Sequence, residues 1–263
     1  MIVGSNNWNS VAYGNGIFVV GGDNGYVTTS IDEGTTWSPP KQLVTIGTWA
    51  NVIYANGSFM MLNFHNGKLA TSTDGITWTI KDTYSLEYWR DLAYGNGIYV
   101  AVGPSYGTIM TSTDGETWTK RTVGSVIWTD IAYGNGKFII ISDGSYFSTS
   151  TDGVTWTNPK RISNAERGYD VITFGNGKFV VAEGYRGNTQ TTTDGETWTT
   201  PNTSAGSYGW QSIAASDGKF ILVGNNGYVT TSVDGITWET PYQLKDEKGS
   251  IVSIILYGVY ATQ

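Results

Sequence analysis

One heptapeptide, repeated along the chain, constrains its folding more than any other feature. Ser72-Thr73-Asp74-Gly75-Ile76-Thr77-Trp78 returns as Ser112 to Trp118, Ser150 to Trp156, Thr192 to Trp198 and Ser232 to Trp238, and a copy with one extra residue runs from Ser30 to Trp37. The closing residues, Trp37, Trp78, Trp118, Trp156, Trp198 and Trp238, fall about 40 residues apart, the period of a four-stranded propeller blade. A single unit of that length cannot bury its own apolar face, so such repeats stack and share a core.

Each unit carries a second landmark. Trp8 leads into Val11-Ala12-Tyr13-Gly14-Asn15-Gly16 and then Ile17-Phe18-Val19-Val20, and Trp49, Trp89, Trp128, Tyr169 and Trp210 open the other units at the same place. Asn-Gly between two apolar runs is a strong hairpin signal, because both turn residues must take positive φ. Asn15-Gly16, Asn56-Gly57, Asn96-Gly97, Asn135-Gly136 and Asn176-Gly177 fit, with Asp217-Gly218 in the sixth unit. The reading is an all-β chain, a single β-propeller of six four-stranded antiparallel blades, with units at about 8–48, 49–88, 89–127, 128–168, 169–209 and 210–250. Residues 251–263 resemble the start of a further unit, Ile251-Val252-Ser253-Ile254 matching Trp210-Gln211-Ser212-Ile213. They are read as an extra hairpin or partial blade, buried against the ring or a partner; the alternative is a seven-bladed ring with an incomplete last blade.

In each repeat the aspartate, Asp32, Asp74, Asp114, Asp152, Asp194 or Asp234, is read as a turn staple that accepts hydrogen bonds from its own loop. The glycine that follows permits positive φ, and the tryptophan buries a large ring at the blade edge.

Composition excludes several classes of function. The net charge is −7, with no basic cluster of the kind nucleic acid requires. The chain has no cysteine, so disulfide, thiol and thiolate-metal chemistry are absent. No apolar run is long enough for a membrane helix, and the first residues lack a signal-peptide pattern. No cofactor or metal is expected, and the localisation stays open, with a virion or extracellular setting in view.

The stretch from Ser30 to Trp37 resembles the Asp-box of bacterial-neuraminidase-repeat propellers, although the other five copies lack one residue between Asp and Gly. With its Tyr-Gly-Asn-Gly hairpin, the unit is similar to propellers of phage and prophage tail or adhesion proteins. The resemblance implies a fold and leaves the function open, since such propellers include sialidases, lectins and assembly factors.

Alternating strand directions put the Asn-Gly hairpins and the aspartate turns on one face of the disc. Recognition residues are then expected on the opposite face, where the loops vary among units. The candidate ligand-binding residues are Trp49, Trp89, Arg90, Tyr106, Trp128, Arg186, Trp210 and Asn225, because aromatic rings beside amide and guanidinium groups suit a sugar. The recurring tryptophans also suit packing against the next blade. The leading functional expectation is a non-catalytic module for cell-surface glycans or a receptor, within a tail or adhesion assembly that engages other subunits through 251–263. The alternatives are a structural or protein-interaction propeller and a sialidase-like hydrolase. The last would draw on Arg90, Arg167 and Arg186 and on Glu87, Asp143, Glu166 or Glu183, which no motif ties together. His65, the only histidine, is read as a polar loop residue.

Overall fold

The computed structural model describes residues 6–82, 88–103, 105–162 and 168–245. The expectations placed on Glu87, Glu166, Arg167 and 251–263 lie outside the described residues. Six antiparallel sheets follow one another in chain order, and in each the chain steps outward from the first strand to the last. The innermost strands, Trp8–Gly14, Trp49–Ala55, Asp91–Gly95, Trp128–Gly134, Val171–Gly175 and Trp210–Ser216, surround a central channel. The protein is a six-bladed β-propeller.

Local turn chemistry draws each blade. In all six hairpins the Asn or Asp has φ between +48° and +51° and the Gly between +74° and +78°, the left-handed pair whose twist matches the flanking strands. The aspartate turns satisfy themselves. Asp74 Oδ1 accepts from the Ile76 and Thr77 N–H groups at 2.8 and 2.7 Å and from the Ser72 hydroxyl at 2.9 Å. Asp114, Asp152, Asp194 and Asp234 repeat the arrangement. In the longer first copy Glu33 takes φ +58°, and Asp32 reaches the Thr36 N–H instead. Trp37, Trp78 and Trp156 donate their indole N–H to the carbonyl of the turn glycine.

The outermost strands are governed by proline. Blades two and three have none there and form four-residue outer strands, Thr79–Asp82 and Thr119–Thr122. Blades one, four and six carry Pro39-Pro40, Pro159 and Pro241, and their outer strands shrink to Lys41–Gln42, Lys160–Arg161 and Tyr242–Gln243. The fifth blade departs from four full strands. Beside Pro201, its outer strand reduces to one bridge between Thr189 and Asn202. Proline has no N–H to pair, so it is tolerated only at an edge, where it also blocks pairing with other chains.

Packing between blades forms the core. Five apolar clusters each join one blade to the next. At four of the six blade openings, the register shifts just after the tryptophan: Trp8/Ser10, Trp49/Asn51, Trp128/Asp130 and Trp210/Ser212. This bulge overturns simple alternation, which groups Trp8 with Ser10 and Ala12. The extra residue flips the phase, so Trp49 packs with Val52 against the first blade, and Trp128 packs with Ile131 against the third. Small residues complete the fit. A β-carbon on Gly134 would stand 2.0 Å from the Phe174 ring of the next blade, and one on Gly14 the same distance from the Tyr54 ring. The glycine of the Tyr-Gly-Asn-Gly motif therefore answers to a neighbouring blade as well as to its own turn.

Trp128 is completely buried and donates its indole N–H to the Val123 carbonyl at 3.0 Å. Trp128→Ala is expected to lower unfolding free energy by about 3–5 kcal/mol in urea titrations, more than an equivalent change at half-buried Trp8.

Candidate functional site

A ring of polar side chains from the innermost strands faces the channel, which encloses about 550 Å³. Asn9, Ser10, Asn51, Asp91, Asp130, Asp170, Gln211 and Ser212 line it, with Arg90 among them. Several latch one blade to the next. Ser10 Oγ accepts the Val52 N–H at 2.9 Å, Asp91 Oδ2 the Ile131 N–H at 2.9 Å, and Asp130 Oδ2 the Ile172 N–H at 2.8 Å. Asn51 donates its amide to Asp91.

Asp91 and Asp130 hydrogen-bond each other, and burial raises the pKa of both. The rise is larger for Asp130, where the charge of Asp91 adds to burial. Asp91 is almost wholly buried, whereas Asp130 keeps some contact with the channel. Two adjacent carboxyls away from bulk water hold one proton between them, with Asp130 as its host. This pair was not among the candidate residues. Its only trace in the sequence is an Asp two places after the opening tryptophan in two successive units.

The tryptophans proposed as ligand contacts do not serve that role. Trp49, Trp89, Trp128 and Trp210 are 0–1% exposed, locked between blades, and present no ring face to a ligand. Asn225 is taken up by the segment that opens its blade: its N–H bonds the Tyr208 and Gly209 carbonyls and its side-chain oxygen accepts from the Gln211 amide. Arg90, Tyr106 and Arg186 remain exposed. The Arg186 Nε lies 4.0 Å from the buried carboxylate of Glu183.

The loop face gathers exposed side chains that alternation alone did not single out. Ile46 and Tyr185 are about as open as Tyr106, at 70%, 67% and 74% exposure, and Tyr88 is half-exposed. Tyr88 closes an aromatic group with Phe64 and His65, ring centroids 5.6 and 6.3 Å away. On the opposite face, a groove of about 440 Å³ between blades one and two runs along Ile31, Trp37, Pro39, Ile76 and Trp78. Both indole N–H groups are already bonded within their turns, so only apolar ring surface faces the groove.

No protein-family model matches the chain, and no curated protein matches its sequence. Its fold, however, is shared with many solved structures. YCF48 bound to a D1 peptide superposes with a TM-score of 0.70 at 19% identity, over 89% of this chain and 80% of that one. Virginiamycin B lyase from Staphylococcus aureus reaches 0.77 at 12% identity, over 92% and 85%. The WD40 domain of Neurospora crassa Pan2 reaches 0.68 at 8%, over 87% and 76%. At these identities the likeness establishes the propeller alone.

The two sets of aspartates bend stability in opposite directions. The channel pair has native pKa values above the ordinary 3.8, so its proton is held in the folded chain and released on unfolding. That contribution is complete below about pH 4 and lost as pH rises. Backbone N–H bonds hold the turn carboxyls low, Asp114 and Asp152 at about 2. Their contribution is present above about pH 4 and lost as pH falls toward 2. Urea midpoints are therefore expected to rise as pH falls toward about 4 and to fall as pH drops below it. Asp130→Asn should flatten the upper limb and leave the lower one in place.

Proposed function

We propose that this protein is a non-catalytic interaction propeller that binds a polypeptide partner on its loop face. The observation that carries this reading is the set of exposed Ile46, Tyr88, Tyr106 and Tyr185, with Arg90 and Arg186 on the same side. Tyrosine buries large area at low entropic cost, and tyrosine and arginine are the residue types that dominate interface energetics. The exposed aliphatics of the other face, such as Ile76 and Val154, occupy repeated turn positions; these tyrosines do not. The peptide-bound YCF48 propeller is consistent with such a use of the fold. The tail or adhesion setting that the repeat resemblance implies belongs to the same reading, with the propeller as a docking subunit.

A second reading, glycan binding, is favoured by one feature: the indole faces of Trp37 and Trp78 in the groove between blades one and two offer stacking surface for sugar C–H groups.

Peptides selected from a random display library against the protein separate the two. Their affinity is expected to fall at least tenfold in a Tyr106→Ala/Tyr185→Ala variant and to be unchanged in Trp37→Ala. Binding confined to a glycan array and abolished by Trp37→Ala would replace the first reading with the second.

A further inference from the structure

One register position on the outer strands repeats a cation. Lys41, Lys81 and Lys160 pair with Val27, Leu69 and Phe147, each the second residue of its blade's third strand. Two of these lysines reach the aspartate turn of the next blade: Lys81 pairs with Glu116, and Lys160 with Glu196. Both glutamates stand two places after the turn aspartate, Asp114 or Asp194. At the junction of blades one and two that place holds Ile76, which is 58% exposed. Lys41 meets no carboxylate there. Its Nζ donates to the Ile76 carbonyl at 3.3 Å, and it forms no ion pair among the described residues. Arg121, at the same position in blade three, turns its Nε to the Thr111 hydroxyl of its own blade at 2.9 Å.

Lys41 lines the groove of about 440 Å³ between these two blades, beside Ile31, Trp37, Pro39, Ile76 and Trp78. A volume of that size suits a small molecule. The polar groups along the groove are engaged with one another: the Thr28 hydroxyl donates to the Ser38 carbonyl at 2.8 Å, and Ser38 Oγ accepts the Thr29 N–H at 3.1 Å. A polypeptide main chain laid there would bury amide groups without partners, which is costly. What the groove offers is apolar and aromatic surface with one ammonium group beside it. We infer that it is a binding site for a small amphiphilic carboxylate. The apolar body lies against Trp37, Trp78 and the two isoleucines. The carboxylate meets Lys41, in the role that Glu116 and Glu196 play at the other two junctions. Isoleucine at position 76 thus makes the site twice over, by supplying a wall and by leaving the cation without its acid. The site lies on the turn face and does not depend on the loop-face partner proposed above.

Three probes with one body and different head charge test this: 4-phenylbutyrate, 4-phenylbutanamide and 4-phenylbutylamine, each titrated into the full chain and followed by NMR. The acid is expected to move the Trp37 and Trp78 indole N–H signals. It should bind at least about threefold more tightly than the amide at low salt, the margin of an exposed ion pair, with the amine weakest. About 0.5 M salt should erase that margin. Lys41→Gln should make acid and amide bind alike. Ile76→Glu places at this turn the residue that blades three and five already carry there, so the turn is kept, and it should weaken the acid at least about fivefold by restoring the ion pair. Val154→Glu, at the same turn position in blade four, should change nothing. Indole signals that stay in place throughout the titration would overturn the inference. So would equal binding of acid and amide to the unaltered chain, or binding of the acid that survives Ile76→Glu. An N-acetylated tripeptide ending in phenylalanine that binds more tightly than 4-phenylbutyrate would assign the groove to a polypeptide terminus instead.

Discussion

Blade-on-blade packing is the constraint on which everything else in this structure depends. A four-stranded sheet of 40 residues has two apolar faces and no interior, so its stability comes from its neighbours. Trp49, Trp128 and Trp210 are each placed by a bulge so that the ring enters the seam with the adjacent blade, beside Val52, Ile131 or Ile213. Glycines such as Gly14 and Gly134 let the next blade's aromatic ring lie directly on the backbone. Buried area of this kind outweighs the contribution of any single hydrogen bond in the ring.

The turns divide the work differently. The aspartate turns close on themselves, with a carboxylate accepting two N–H groups and a hydroxyl, so they form wherever the heptapeptide occurs. They set the strand ends and leave the seams free to be filled. At the rim, proline and lysine limit the outer strands. Together these devices make a disc whose interior is shared between neighbours and whose edges discourage further pairing.

Function sits on what this scaffold leaves over. The channel is polar because Asn51, Asp91 and Asp130 point inward, and there they act as latches between blades. The loop face is where large side chains remain open. Solved propellers similar to this one include a peptide-bound protein and a lyase, so the architecture selects no chemistry.

Much of the fold was legible in the chain. The forty-residue period, the Asn-Gly pairs and the Ser/Thr-x-Asp-Gly turns are local, and each depends on the conformational preference of a few neighbouring residues. The prolines likewise foretell the short outer strands, since a missing N–H is a property of one residue. The candidate site was less legible. Whether Trp49 or Trp128 faces a ligand or a neighbouring blade depends on a one-residue register shift, which reverses the facing of every side chain before it. The Asp91–Asp130 pair joins residues in different blades, and the exposure of Tyr106 and Tyr185 depends on what packs around them. The sequence by itself determined the module, its turns and its edges, because these are written in contiguous residues. Only the tertiary structure decided which aromatics are spent on the seams, which carboxyls meet in the channel and which tyrosines stay exposed. Those outcomes follow from how one blade is rotated against the next.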